Sequence, residues 1–155
     1  YSSEGTNKAS LNLHHFTNNH IIRGIWKRKE RPITFNTWEA VHFDYDEKRI
    51  LELAKNAKNT GIELFVIDDG WFANRDNDRQ SLGDWFVNTK KFPSGLAGIS
   101  SKIHRMGLSF GLWVEPEMIS RRSMLFGEHP DWAVVIPERE PSVGRNQMIL
   151  NLQGL

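Results

Sequence analysis

Apolar residues are grouped along the chain in two alternating patterns, which predict strands and helices in turn. Short apolar runs predict three strands, at residues 32–38, 62–68 and 108–114. Residues 46–61 and 93–107 instead carry apolar side chains at helical spacing, and Asp46 and Gly61 occupy positions typical of helix caps. The resulting order predicts an α/β fold in which helical crossovers join parallel strands, the middle one covered on both faces.

The first part of the chain lacks these patterns. Residues 1–20 are polar with isolated apolar positions, which predicts irregular structure or an edge strand. We expect residues 1–30 to be a lead-in segment from an upstream domain. The chain opens with Tyr1 and ends in "MILNLQGL", directly after another apolar stretch, so we also expect a segment of a longer polypeptide.

Polar and aromatic residues follow each of the three predicted strands, in the stretches "TWEA", "DDGW" and "WVEPE". Active sites lie at the carboxyl ends of the strands both in (β/α)8 barrels and in doubly wound sheets. No glycine-rich phosphate turn follows the first strand, which favours the barrel. Because a barrel takes about 250 residues, we expect residues 31–155 to form a partial TIM (β/α)8 barrel of three βα units, truncated before the fourth strand.

Composition narrows the class of protein. The sequence is 39% hydrophobic and 11% aromatic, which is typical of a globular domain. A net charge of +1 gives no basic surface for nucleic acid or for a membrane, and the apolar runs fall far short of the about 20 residues of a membrane span. With no cysteine, disulfides and thiolate metal sites are excluded, and we favour a cytoplasmic location and a neutral small-molecule partner.

Two adjacent aspartates, Asp68 and Asp69, end the second predicted strand just ahead of Trp71. Three hypotheses account for the pair: a solvated turn, a metal site completed by Glu115 and Glu117, or a site for a polyhydroxyl ligand. The sugar hypothesis uses these residues most completely. Carboxylates accept hydrogen bonds from neighbouring hydroxyls, and an indole packs on the apolar face of a pyranose.

Tryptophans cluster at the same strand ends. Four of the six Trp residues follow a predicted strand or lie in the loop after the second one, namely Trp38, Trp71, Trp85 and Trp113. This shared placement predicts that the four indoles wall a ligand site. Glu115 and Glu117 are spaced as a glycosidase acid and base could be, although the same spacing is common on surfaces. The composition around Arg145 indicates no special role for this residue.

Six sequence motifs are more specific than the single residues above. In chain order they are "ITFNTWEA", "GIELFVIDDGWF", "SLGDWFVNTKKFPSGL", "FGLWVEPEMIS", "HPDW" and "GRNQMILNL". Together they resemble the α-galactosidases of glycoside hydrolase family 36 over nearly the whole chain. The resemblance implies a retaining enzyme, commonly a homotetramer, whose (β/α)8 barrel lies between two β domains. It further implies hydrolysis of terminal α-1,6-linked galactose in melibiose and raffinose-type oligosaccharides, with no metal or organic cofactor.

The resemblance implies substrate-binding roles for five residues, which are Trp38, Asp68, Asp69, Trp113 and Arg145. The aspartates would bind the galactose 4- and 6-hydroxyls, the tryptophans would line the pocket, and the arginine would reach the substrate. Glu115 and Glu117 match a family motif but are not its catalytic pair. Thr37 stands where the family usually has Asn, a departure expected to remove one hydrogen bond from the pocket.

The family's catalytic residues have no counterpart in this chain. Its nucleophile is the aspartate of a Lys-Trp-Asp motif after the fourth barrel strand, and its acid/base aspartate comes later; neither motif occurs here. We therefore expect the 155 residues alone to be inactive. The alternatives are a non-catalytic carbohydrate-binding module, a transglycosylase or α-N-acetylgalactosaminidase on the same scaffold, and a phosphohydrolase with magnesium at Asp68 and Asp69.

Overall fold

The structure is a computed structural model that describes residues 2–139 and 144–153. The chain divides into two compact units, Tyr1–Pro32 and Ile33–Leu155. Within the described residues, no helix combines the length and the apolar character needed to cross a membrane.

The first unit is helical. Helix α1 spans Thr6–Phe16 and continues into a π-helical turn at Thr17–Ile21, and a 3-10 turn follows at Gly24–Lys27. The prediction of irregular structure or an edge strand was therefore wrong. All residues of α1 are exposed, including Leu11, Leu13 and Phe16, and residues 6–23 contain neither Gly nor Pro to interrupt helical hydrogen bonds.

The second unit alternates strands and helices. Its helices are α2 (Trp38–Val41), α3 (Glu47–Asn59), α4 (Gly95–Arg105) and α5 (Met124–Glu128), with 3-10 turns at Pro130–Trp132 and Gly144–Asn146. Its strands are β1 (Thr34–Asn36), β2 (Leu64–Ile67), β3 (Ser109–Leu112), β4 (Met118–Ile119) and β5 (Met148–Ile149). Strands β1, β2 and β3 form a parallel sheet in that order, and β4 pairs antiparallel with β5.

Helix α3 has the two ends that the sequence predicts. The side chain of Asp46 accepts a hydrogen bond from the backbone N–H of Arg49 at 2.8 Å, which caps the first turn. Gly61 follows the helix with φ of 87°, the left-handed conformation that favours glycine. The apolar stripe of α3 buries Ile50 and Ala54, so the helix is held to the core by its predicted face.

The core lies between the sheet and the helices α3 and α4. Phe65 and Ile67 of β2 are fully buried on this side, together with Ile99 and Ile103 of α4. The opposite face of β2 is only half-buried, so the predicted cover on both faces is observed on one. The observed strands are also shorter than the predicted ones, because the chain turns away from the sheet directly after Asn36 and Ile67.

Candidate functional site

A cleft of about 430 Å³ opens at the carboxyl ends of β1, β2 and β3. It is lined by Asn36, Trp38, Glu39, Asp68, Asp69, Trp113 and Arg145. All five residues that the sequence singled out for substrate binding thus lie around one cavity. A larger cavity, of about 670 Å³, lies between the first turn of α3 and the residues ahead of α4, away from these strand ends.

Asp68 is held by its neighbours but keeps acceptor capacity for a ligand. One carboxylate oxygen accepts from the backbone N–H of Asp69 at 2.7 Å, and the other accepts from the side-chain amide of Asn36. The amide oxygen of Asn36 in turn accepts from the backbone N–H of Trp38 at 2.8 Å. A carboxylate has about four acceptor positions, so roughly two remain free on Asp68.

Asp69 has a different environment, because its carboxylate is paired with a buried arginine. Only 2% of Asp69 is exposed, and Arg75 is fully buried. The guanidinium donates from Nε at 2.9 Å and 3.2 Å and from Nη2 at 2.8 Å, a bidentate arrangement of the strongest kind. The two adjacent aspartates therefore do not carry two uncompensated charges.

The arginine also bears on the metal hypothesis. The guanidinium of Arg75 disfavours a divalent cation at Asp69, because it already places a positive charge in contact with both carboxylate oxygens. Among residues 2–139 and 144–153, no group of three or more His, Cys, Asp or Glu side chains is placed to hold a metal ion.

The backbone of the turn after β2 is held by hydrogen bonds from side chains of neighbouring loops. The hydroxyl of Tyr45 donates to the carbonyl of Asp69 at 3.0 Å, and Nζ of Lys91 donates to the carbonyl of Gly70 at 3.1 Å. Gly70 has φ of 104°, and a Cβ there would lie 3.1 Å from Cδ1 of Phe43 and 3.1 Å from the hydroxyl oxygen of Tyr45, so glycine is strongly favoured. Burial and the nearby aspartate charges raise the pKa of Tyr45, which therefore remains a donor.

Thr37, directly after β1, supports the same turn. It is fully buried, and its Oγ1 accepts from the backbone N–H of Asp68 at 3.0 Å. The side chain of Thr37 does not line the cleft, where the neighbouring polar side chain is that of Asn36.

The four tryptophans divide into two pairs. Trp38 and Trp113 line the cleft. Trp71 is buried, and its indole N–H donates to the carbonyl of Trp113 at 2.9 Å, while Trp85 packs against both at ring distances of 6.2 Å. The prediction that Trp71 and Trp85 wall the ligand site was therefore wrong: they form the layer behind the wall.

Arg145 reaches the cleft from the segment before β5. Arg145 and Asn146 both have φ of 55°, a left-handed conformation uncommon for residues other than glycine. The guanidinium lies 3.9 Å from Glu115, whose other oxygen accepts from the amide of Gln147 at 2.9 Å. Burial, together with the charges of Glu117 and Asp69, raises the pKa of Glu115 despite the opposing effects of Arg145 and Gln147. Glu117 is exposed.

Sequence reasoning missed Asn36 and Arg75. Asn36 could have been found from the sequence, because it ends the first strand two residues before Trp38. Arg75 lies in a loop rich in Asp and Asn, where the sequence does not distinguish it from a solvated arginine. Only the fold shows that it is buried against Asp69.

The sequence profile of the melibiase family matches residues 1–154. The chain belongs to the melibiase family. The α-galactosidase AgaA of Geobacillus stearothermophilus is 49% identical over 151 residues, which are 97% of this chain and 21% of AgaA. The α-galactosidase Mel36A of Lactobacillus acidophilus is 47% identical over 152 residues, which are 98% of this chain and 21% of Mel36A.

Solved structures agree with the sequence comparison. A variant of the Geobacillus stearothermophilus GH36 enzyme AgaA, crystallised with raffinose, matches with a TM-score of 0.86 and 49% identity, covering 97% of this chain and 21% of the AgaA chain. The α/β fold with parallel strands and the resemblance to family 36 are thereby confirmed. The chain spans about a fifth of the length of the relatives it matches.

Proposed function

We propose that this chain is the N-terminal part of the catalytic (β/α)8 barrel of a retaining α-galactosidase. Residues 31–155 would supply its first three βα units, and residues 1–30 would lead in from an upstream domain. The parallel order β1, β2, β3, with α3 and α4 as the crossovers, supports this assignment. So does membership of a family whose similar members are named α-galactosidases.

The substrate we propose is terminal α-1,6-linked galactose in oligosaccharides of the melibiose and raffinose type. The observation that carries this proposal is the convergence of Trp38, Asp68, Asp69, Trp113 and Arg145 on one cleft. Its volume, about 430 Å³, lies in the range of roughly 300–1,000 Å³ typical of small-molecule sites. The raffinose complex of a 49% identical enzyme points to the same class of substrate.

Each side chain has a task that its geometry supports. Asp68 would accept hydrogen bonds from sugar hydroxyls on its free acceptor positions, and Asp69 would contribute a further acceptor. Trp38 and Trp113 would pack on the apolar face of the ring and exclude water from it. Arg145 would donate to the substrate from the open side of the cleft.

These residues bind and orient galactose; they do not break the glycosidic bond. In a retaining glycosidase, one carboxylate attacks the anomeric carbon, a second protonates the leaving oxygen, and water then releases the sugar. We assign neither carboxylate to this chain and place both elsewhere in the polypeptide. On the family resemblance we also propose a homotetramer and a cytoplasmic location.

A chimera tests the proposal. The region of AgaA that matches this chain would be replaced by the 155 residues, and hydrolysis of raffinose and of p-nitrophenyl α-galactoside would be measured. We expect the chimera to hydrolyse both, and the isolated chain to hydrolyse neither. A chimera that unfolds cooperatively but lacks activity contradicts the proposal, as does hydrolysis by the isolated chain.

Binding by the isolated chain provides the second measurement if the chimera does not fold. Galactose would be titrated while Trp fluorescence is followed, with glucose as the control because it differs only at the 4-hydroxyl. A galactose-specific change supports the cleft as the sugar site, and its absence contradicts it. Galactose binding together with a folded, inactive chimera would instead identify a carbohydrate-binding module.

A further inference from the structure

We propose that Arg75 is a positioning residue for sugar binding: its buried guanidinium holds the carboxylate of Asp69 in the one orientation that presents an acceptor oxygen to the cleft. The inference rests on the proposed function, because it concerns how the same cleft binds galactose. Arg75 itself lies behind the cleft lining and does not touch the sugar.

The pairing of Arg75 with Asp69 leaves a specific oxygen for the ligand. Oδ2 of Asp69 accepts from both Nε and Nη2, at 3.2 Å and 2.8 Å, whereas Oδ1 accepts from Nε alone, at 2.9 Å. Each carboxylate oxygen offers about two acceptor positions. Oδ1 therefore retains the free position, and a sugar hydroxyl would bind there.

The guanidinium is fixed on its other side as well. Its Nη1 donates to the carbonyl of Gln80 at 2.8 Å, and its plane lies over the ring of Phe43 with 5.7 Å from Cζ to the ring centre. A planar fork held at three nitrogens cannot rotate without breaking several hydrogen bonds at once. The orientation of Asp69 is thus set by the loop that carries Gln80 and not by the ligand.

The charge of Arg75 has a second effect. Asp68 and Asp69 are adjacent, and Asp69 is almost completely buried, so its negative charge needs a cation in contact. Because that cation is an arginine of the chain, the carboxylate is charged and oriented before the sugar arrives. Binding then costs no rearrangement at this side chain, which favours affinity.

The first test replaces Arg75 by Lys in the active chimera. Arg75→Lys keeps the charge but loses the planar fork, and we expect kcat/KM for p-nitrophenyl α-galactoside to fall about 10- to 100-fold. Arg49→Lys is the matched control, because Arg49 forms an exposed pair with Glu52 at 3.0 Å; its kcat/KM should stay within about twofold of the parent.

Deoxy substrates separate positioning from a general structural role. The 4-deoxy and 6-deoxy p-nitrophenyl α-galactosides each lack one hydroxyl proposed to bind the aspartates. If Arg75 acts through Asp69, the penalty of Arg75→Lys should largely disappear for the one analogue that lacks the hydroxyl bound at Oδ1. An equal penalty on all three substrates would overturn the inference while leaving the proposed function intact, since the parent chimera remains active.

A second pair of variants applies if Arg75→Lys does not fold. Asp69→Asn would be compared with the double variant Asp69→Asn, Arg75→Gln, which leaves no buried charge unpaired. A residue that acts only through Asp69 adds no further loss, so the two kcat/KM values should agree within about twofold. A further loss of tenfold or more in the double variant would contradict the inference.

Discussion

The hydrogen bond between Thr37 and the turn after β2 allows a prediction with a calculated size. Thr37→Val keeps the shape of a fully buried side chain and removes the Oγ1 that accepts from the backbone N–H of Asp68 at 3.0 Å. Leaving such a donor without an acceptor costs about 1–3 kcal/mol of unfolding free energy. For a chain of this size, each kcal/mol lowers Tm by about 2–4 °C, so Tm should fall by roughly 2–12 °C.

Thermal unfolding of the chain, followed by circular dichroism, measures this change. Thr60→Val is the matched control: Thr60 is exposed, and its hydroxyl donates to the carbonyl of Ala57 at 2.8 Å, where water can take its place. The control should change the free energy of unfolding by no more than about 0.5 kcal/mol. Equal Tm values for the two variants would refute the assignment of Thr37 to the turn.

Three further predictions concern the helices. Asp46→Ala removes the N-cap of α3 and should cost about 1 kcal/mol in urea unfolding; an unchanged midpoint would contradict the cap. Ile99→Ala empties a fully buried core position and should cost about 2–5 kcal/mol in the same assay, whereas a cost below about 1 kcal/mol would contradict its burial. Burial raises the pKa of Glu47, but hydrogen bonds from Lys102 and Ser94 outweigh it, so the pKa is lowered overall. Stability from this group is therefore present above its ordinary pKa and is lost as pH falls, and Glu47→Gln should flatten that acid dependence.

The sequence predicted those parts of the fold that depend on local patterns. Helix α3 was recognisable because its cap, its apolar stripe and its terminal glycine are all encoded within residues 46–61. The location of the site followed from parallel topology, since the carboxyl ends of neighbouring parallel strands must meet. The strand-end positions indicated Asp68, Asp69, Trp38 and Trp113 as candidates for ligand binding, whereas Arg145 was indicated only by the family resemblance.

The features that the sequence did not predict depend on long-range contacts. Trp71 was assigned to the ligand wall because it follows a strand end, but the turn at Gly70 directs its indole into the core. The burial of Arg75 depends on the path of a loop that no local pattern encodes. Helix α1 was missed because its few apolar residues are isolated among polar ones, and none of them is buried.

The central claim is that the cleft at the strand ends binds galactose through Asp68. The most direct measurement is kcat/KM for raffinose of the chimera carrying Asp68→Asn, beside Asp131→Asn, which changes an exposed aspartate away from the cleft. Hydrogen bonds to a charged group contribute about 1.5–3 kcal/mol, so Asp68→Asn should lower kcat/KM about 10- to 150-fold, while Asp131→Asn leaves it unchanged. Equal kcat/KM values for the two variants, both folded, would contradict the account.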